Sequence, residues 1–413
     1  MRNTPEAQPS THSPRIAMIA MHESQFKERG RNANRSWFRS DRSDPAGKRN
    51  HARLQGRDWR IRVSRGFAVF LLLNIVSSCF AQDKAFYAGK TIDIVIPGPA
   101  GGGPDQAARI FADHMTRHTP GNPTFVIKAL PGGGGVRALN YLSEIAKPDG
   151  LTLLWGPIQF SGYLTGGPGK RYDPGAYEPI GTGSLFYAVM ANTGLAGGLK
   201  APADFLRARR VNVGGLGQGR AIDFFSRVPL DLLGIDYKYV LGYQGQPEIA
   251  LALQNGEIDV GATGYTGYAT LYKRQIVEAA IALPVFYHSP IDPATGEPMR
   301  AAADAFPSGT DHFVDFAREN GRVFSGPLWD AYKWIATYET WPSWFVAPRG
   351  VAPEAIGALR EAYARVIADP LMAQAWRSRF NEEPAFVTHD KAARLQKNFR
   401  DITPQALEIL KGL

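Results

Sequence analysis

The sequence predicts an α/β chain of two domains, each a mainly parallel sheet flanked by helices, and three observations predict it. Short β-branched runs recur, each stops at a glycine-rich loop, and each loop opens a helix-like stretch. The clearest copy is TIDIVIPGPAGGGPDQAAR at 91–109. There Ile92, Ile94 and Ile96 alternate with Asp93 and Val95, Pro97 stops the run, and Asp105 opens AARIFADHM. Strand, helix and strand joined by short connections imply a parallel sheet with ligands at the carboxyl ends of its strands. A second copy, VNVGGLGQGRAIDFFSRV, marks the second domain.

In chain order, the first helix is expected from Asp105 to His118, where the breaker run Thr119 to Pro123 ends it. Thr124–Lys128 reads as a strand, Pro131–Gly135 as a second glycine loop, and VRALNYLSEIA as its helix. Leu151–Trp155 reads as a buried strand, after which Gly, Pro and Tyr dominate to Tyr177. Ile180–Asn192 reads as one strand-like segment leading into the second domain. There Val211–Val213 precedes the loop Gly217, Gln218 and Gly219, and Arg220 stands at the helix start. Strand Tyr237–Leu241, the turn GYQGQP, helix IALALQNG and strand EIDVGATG follow. Residues 284–330 are Pro-rich and aromatic without a period that assigns them. Trp344–Val346 reads as a strand, Pro353–Ala368 as an amphipathic helix opened by Pro and Glu, and two further helices finish the chain. A leader at 1–81, one domain at 83–186 plus 325–413 and another at 187–324 are the expected divisions.

At 413 residues the chain has ample apolar content for large cores. Its net charge of +9 resides in the leader: residues 1–82 hold 15 Lys or Arg against 6 Asp or Glu, and the remainder holds 32 of each. A neutral body carries no electrostatic footprint for a phosphate backbone, so nucleic acid is not an expected partner. Residues 1–58 are polar, Arg-rich and unpatterned, and read as disorder or as a coding start placed too early. From Arg60, RIRVSRGFAVFLLLNIVSSCFAQ has a positive start, an apolar core from Phe67 to Val76 that is too short to span a bilayer, and a small-residue exit. It reads as a secretory signal cleaved after Ala81. Val76, Ser77, Ser78 and Cys79 also resemble a bacterial lipobox, which is the alternative and would put a lipid on Cys79. Cys79 is the single cysteine, so the exported body holds neither a disulfide nor a cysteine-ligated metal.

Several chemistries fail on inspection. Gly215, Gly217 and Gly219 are followed by Arg220 and Ala221, without the third spaced glycine of a dinucleotide fingerprint. Lys170 is followed by Arg171 where a P-loop needs Ser or Thr, and no G-x-S-x-G elbow occurs. His114 and His118 share a helix face, but HExxH is absent and no third ligand stands nearby in sequence, so they read as solvated surface histidines. Trp329, Trp334, Trp341 and Trp344 read as core. Asp105 fits either a first-turn residue favoured by the helix dipole or a ligand contact. Arg220 is opposed by the dipole at a helix start, so it fits an anion clamp as well as a side chain turned to water.

VIPGPAGGGPDQAAR resembles the first signature of the Bug-type receptors, the TctC-like extracytoplasmic solute-binding proteins of tripartite tricarboxylate transporters, which read VPFxxGGxxDxxAR. The stretches at 130–135 and 147–154, then GYQGQPEIALALQNGEIDV and FVAPRGVAPEAIGALREAY, are similar to later family signatures in the same order. Phe306 to Gly309 looks like a worn Pro-x-x-Pro-Thr segment. The resemblance covers roughly residues 84–413. It implies a periplasmic two-domain clamshell of type II-like architecture that binds a small carboxylate between its lobes through backbone amides, without cofactor or metal, and without catalysis. The ligand-binding set carried over from the family is Gly101, Gly102 and Asp105, then Gly217, Gln218 and Gly219, and Tyr243 with Gly245, and Gln159 and Arg220 are further candidates. Gly98, Ala129 and Arg220 depart from the family pattern, and Arg220 favours a strong anion. A monomer that hands its ligand to membrane subunits is expected. The alternatives are an enzyme acting on a carboxylated substrate and a sensor for a membrane signalling partner.

Overall fold

The computed structural model describes residues 85–413 apart from 99, 102, 168, 218, 293 and 294. The leader, its signal segment and Cys79 lie outside the described residues, as do the candidates Gly102 and Gln218. The chain divides after Ala81, and the unit described is the one that begins at Gln82. Among the described residues no helix is long and apolar enough to cross a membrane.

The first sheet begins with β1 (Thr91–Ile96), α1 (Gly103–His118), β2 (Thr124–Ala129), α2 (Val136–Glu144) and β3 (Thr152–Gly156). β1 lies between β2 and β3, parallel to both, with Thr91 opposite Thr124 and Asp93 opposite Thr152. The alternation read in β1 has its cause in packing, because Ile92, Ile94 and Ile96 are fully buried. α1 lays Ala108, Phe111 and Met115 on the sheet at the spacing of a single helix face. A short α3 (Phe160–Leu164) and β4 (Glu178–Gly183) follow.

The segment expected as one strand is two. β4 belongs to the first sheet and β5 (Tyr187–Asn192) to the second, and the chain crosses between them in Ser184–Phe186. A β-prone run does not reveal by itself that its halves pair with different neighbours. In the second sheet β6 (Arg210–Gly215), α4 (Ala221–Leu233), β7 (Asp236–Leu241), α5 (Gln246–Gln254) and β8 (Val260–Gly264) repeat the first arrangement. β6 lies between β7 and β8, parallel to both. A helix α6 (Tyr265–Gly267) continues in π-helical turns through Tyr268–Val277.

The unassigned 284–330 stretch contributes most of β9 (Ala282–His288), then β10 (Asp311–His312) and α7 (Phe313–Glu319). β9 shows no alternation because nearly all its residues are buried, as expected of a strand covered on both faces. Phe306 stacks on Tyr287 with ring centroids 5.1 Å apart, so the worn segment is pinned to β9. The chain then forms α8 (Pro327–Tyr338), β11 (Trp344–Ala347) and α9 (Pro353–Ala368). Three helices follow rather than two, α10 (Pro370–Phe380), α11 (His389–Asn398) and α12 (Pro404–Gly412), with β12 (Phe386–Thr388) between the first two.

Both finished sheets have six strands, in the orders β12-β4-β11-β3-β1-β2 and β10-β9-β5-β8-β6-β7. They are mixed. Parallel pairing holds where helical crossovers connect strands and also between β9 and the short β10, and antiparallel pairing holds where β4, β11 and β12, or β5 beside β8 and β9, join. One apolar cluster runs from Val95 and Leu154 in the first sheet through Tyr187, Val213 and Phe225 to Tyr332, Trp334 and Leu410. Trp334, Trp341 and Trp344 are buried in it as expected of core, and Trp329 packs against it half-buried.

Candidate functional site

The loop after β1 is held by an acid at the third position of α1. Gly101 takes φ +81°, a left-handed conformation that favours glycine, and its N–H donates to Asp105 Oδ2 at 2.9 Å. Arg109 Nε donates to the same oxygen at 3.0 Å, and its Nη2 faces Oδ1 at 3.0 Å. The Arg109 hydrogen bond is the main cause that holds the Asp105 carboxyl below its ordinary range. Asp105 is buried, its Oδ2 holds the loop, and its Oδ1 faces Arg109 without a hydrogen-bond partner.

The loop after β6 uses the same position differently. Gly217 (φ +141°) and Gly219 (φ +79°) are left-handed, and a Cβ on either would meet open space. Asp223, third in α4, accepts the Leu216 N–H at 2.7 Å and the Tyr239 hydroxyl. Burial raises its carboxyl pKa, and the hydrogen bonds and the Arg220 charge only partly oppose this. Asp223 escaped the sequence reading, although its offset from the helix start repeats that of Asp105. An acid at this position commonly reaches back to the chain before the helix.

Arg220 caps α4 with its main chain only: extended at φ −102°, it accepts the N–H groups of Asp223 and Phe224 on its carbonyl. Its exposed side chain reaches the other sheet. A Cβ built on Gly134 would stand 3.9 Å from Arg220 Nη2 and 3.9 Å from Gln159 Nε2. Gly132 to Gly135 all have positive φ, a run that only glycines adopt without strain, and Gln159 Nε2 donates to the Gly134 carbonyl. Gln159 is fixed in turn by the Tyr172 hydroxyl, which donates to its carbonyl at 3.0 Å. Gly134 and Gly135 are thus site candidates that the sequence reading placed only in a loop. Four consecutive glycines were the available signal.

Tyr243 rests its ring near Gly214 at the end of β6, and Gly245 precedes α5 in extended conformation, where glycine is not required. Beside Gly219 a cavity of about 320 Å³ is lined by Ser161, Gly162, Lys170, Phe224 and Lys411. Lys170 Nζ donates to the Gly162 carbonyl at 2.7 Å, and burial lowers its pKa against the pull of Glu339. Burial pushes the Glu339 carboxyl up to about 7, although it accepts the Ser161 N–H at 2.8 Å. The structure therefore brings Gly134, Gln159 and Arg220 together from both sheets, with Gly219 beside a lysine-bearing cavity.

One expectation is corrected. His114 and His118 are not solvated surface residues without a third group: His114 is buried, and both rings face Asp369, more than 250 positions away in the chain.

No family model matches the chain. A UPF0065 protein in the TAR-I ttuE-ttuC' intergenic region of Agrobacterium vitis is 29% identical over 223 residues, 52% of this chain and 62% of that protein. The matched stretch thus spans less than two thirds of that relative. The crystal structure of a TctC solute-binding protein from Polaromonas superposes with a TM-score of 0.57 at 16% identity, over 79% of this chain and 98% of that one. The fold is that of the TctC/Bug-type periplasmic binding proteins. The periplasmic binding protein BugD gives a TM-score of 0.54 at 18% identity over 79% and 98% of the two chains. MatC from Rhodopseudomonas palustris with bound malate gives 0.52 at 17% over 78% and 99%. In this architecture Arg220 reaches from the loop after β6 in the second sheet to the glycine run that follows β2 of the first.

Proposed function

We propose that the chain is an exported, periplasmic receptor that captures a small carboxylate between its lobes and presents it, as a monomer, to the membrane subunits of a tripartite tricarboxylate-type transporter. The lobes are 83–186 with 325–413, and 187–324. The observation that carries this reading is the meeting of the Arg220 guanidinium with Gly134 and Gln159 across the two sheets. A guanidinium beside backbone and amide donors matches the planar, charged oxygens of a carboxylate. The malate bound in MatC supports the ligand class. The fold relatives are solute-binding proteins, which supports capture rather than catalysis.

Four or five charge-assisted hydrogen bonds at about 1.5–3 kcal/mol each supply roughly 6–15 kcal/mol gross, while micromolar affinity needs about 8 kcal/mol. Contacts on both lobes let the ligand favour a closed arrangement. The test is a thermal-shift screen of mono-, di- and tricarboxylates, each followed for turnover. Saturation at about 100 times the dissociation constant should add about 2.7 kcal/mol of stability and leave the acid unchanged. A panel without any shift, or an acid consumed by the protein, rejects the reading.

A further inference from the structure

Another group of side chains lies away from the glycine loops, where the end of α1 meets the α9–α10 junction. His114 and His118 stand one turn apart on one face of α1. Asp369 sits between α9 and α10 as the N-cap of α10, and its Oδ1 accepts the Leu371 N–H at 2.9 Å. That bond fixes the carboxylate plane and turns Oδ2 toward the histidines. Oδ2 stands 3.0 Å from His114 Nδ1 and 3.2 Å from His118 Nε2, and all three atoms lie within 4.8 Å of one another.

The two carboxylate–imidazole separations suit a metal ion. Bonds of about 2.0–2.2 Å in a tetrahedral or octahedral shell put neighbouring ligand atoms roughly 3.0–3.5 Å apart. An aspartate is anionic at neutral pH, its ordinary pKa being about 3.9, so Asp369 offers a charged oxygen ligand beside the two imidazoles. The His114 side chain is 6% exposed and that of Asp369 14%, while His118 at 28% leaves an approach for an ion and its water. Two imidazoles and one carboxylate favour a borderline transition metal over magnesium or calcium, which prefer all-oxygen shells.

We propose that His114 Nδ1, His118 Nε2 and Asp369 Oδ2 form a binding site for a divalent transition metal of the zinc class, completed by water. The ion ties the last turn of α1 to the α9–α10 junction within one lobe, and the site is independent of ligand capture between the lobes.

The test uses the full chain with Zn²⁺ and Co²⁺, with Mg²⁺ as control, followed by titration calorimetry, cobalt absorption and thermal shift. His118→Ala removes the most exposed ligand, and Asp369→Asn removes the charge while keeping a good N-cap residue. The wild-type chain should bind zinc at this site, gain thermal stability with it, and show a cobalt ligand-field band. Either variant should weaken that binding by more than about 100-fold, since even groups behind metal ligands are worth 10–100-fold, and the band and thermal gain should vanish. His12, His22, His51 and Cys79 in the leader offer other donors, so the comparison of variants with wild type is the deciding readout. Zinc binding that is equal in all three proteins, or no zinc binding by the folded wild type, overturns the proposal. In that case the two histidines only hydrogen-bond to a helix cap.

Discussion

In the loop after β1 the acid at the third helical position, Asp105, is neutralised by Arg109 of its own helix, whereas after β6 Asp223 is buried against Tyr239. The cation nearest Asp223 in the chain, Arg220, stands outside on the loop. In the first loop the Gly101 N–H and the Arg109 guanidinium both converge on the Asp105 carboxylate. The second holds its backbone through a buried carboxyl and leaves a guanidinium facing the glycine run after β2 of the other sheet. One backbone solution thus serves two purposes. The first loop is stiffened, and the second is stiffened and also presents a charge.

The first effect that would break this comparison is on stability. Asp223→Ala removes the acceptor of the half-buried Leu216 N–H and of the half-buried Tyr239 hydroxyl. An unpaired buried group costs about 1–3 kcal/mol and these two are half-buried, so the loss should reach about 1–3 kcal/mol in chemical denaturation. Asp105→Ala should cost clearly less, because Gly101 and Arg109 are open to water, which replaces the lost partner. Equal losses would mean that the exposure of the partners does not distinguish the loops.

A comparable effect should appear in binding. Arg220→Ser gives α4 a better capping side chain and removes the charge. Affinity for the acid found in the screen should fall by about 1.5–3 kcal/mol by isothermal titration, with stability of the free protein kept or slightly raised. Arg109→Ser should leave affinity nearly unchanged, because Arg109 is occupied by Asp105. If the two substitutions weaken binding alike, the charge that matters is not the one facing Gly134.

The parts of the molecule legible in sequence are those whose cause is local. β1 and α1 could be read because Ile92, Ile94 and Ile96 alternate and Phe111 and Met115 keep a helical face. Arg220 stood out because a cation conflicts with a helix start. β9 could not be read, since burial on both faces erases the alternation, nor could the passage from β4 to β5, since pairing partners are set by tertiary topology. The approach of Asp369 to His114 and that of Arg220 to Gly134 are long-range contacts with no local pattern to record them.

The finest distinction between the loops lies in pH dependence, read from the neutral variants Asp105→Asn and Asp223→Asn. The folded-state pKa of Asp105 is lowered by Arg109, so its carboxylate stabilises the fold above the unfolded value of about 3.9, and this is lost as pH falls through the folded pKa. Asp105→Asn should therefore be less stable than wild type at pH 7, and the difference should shrink in acid. Asp223 has the opposite sign. Its pKa is raised by burial, so the native state binds more protons, and its contribution declines as pH rises from about 3.9 through the folded pKa. An asparagine there keeps an oxygen for the Leu216 N–H and the Tyr239 hydroxyl without burying a charge. Asp223→Asn should thus equal or exceed wild type in stability at pH 7 and lose that advantage in acid. Urea denaturation of both variants at pH 7 and pH 4 measures the two slopes. Slopes of the same sign would show that Asp223 is charged and compensated like Asp105, and would bring Arg220 back into its own loop as the compensating cation.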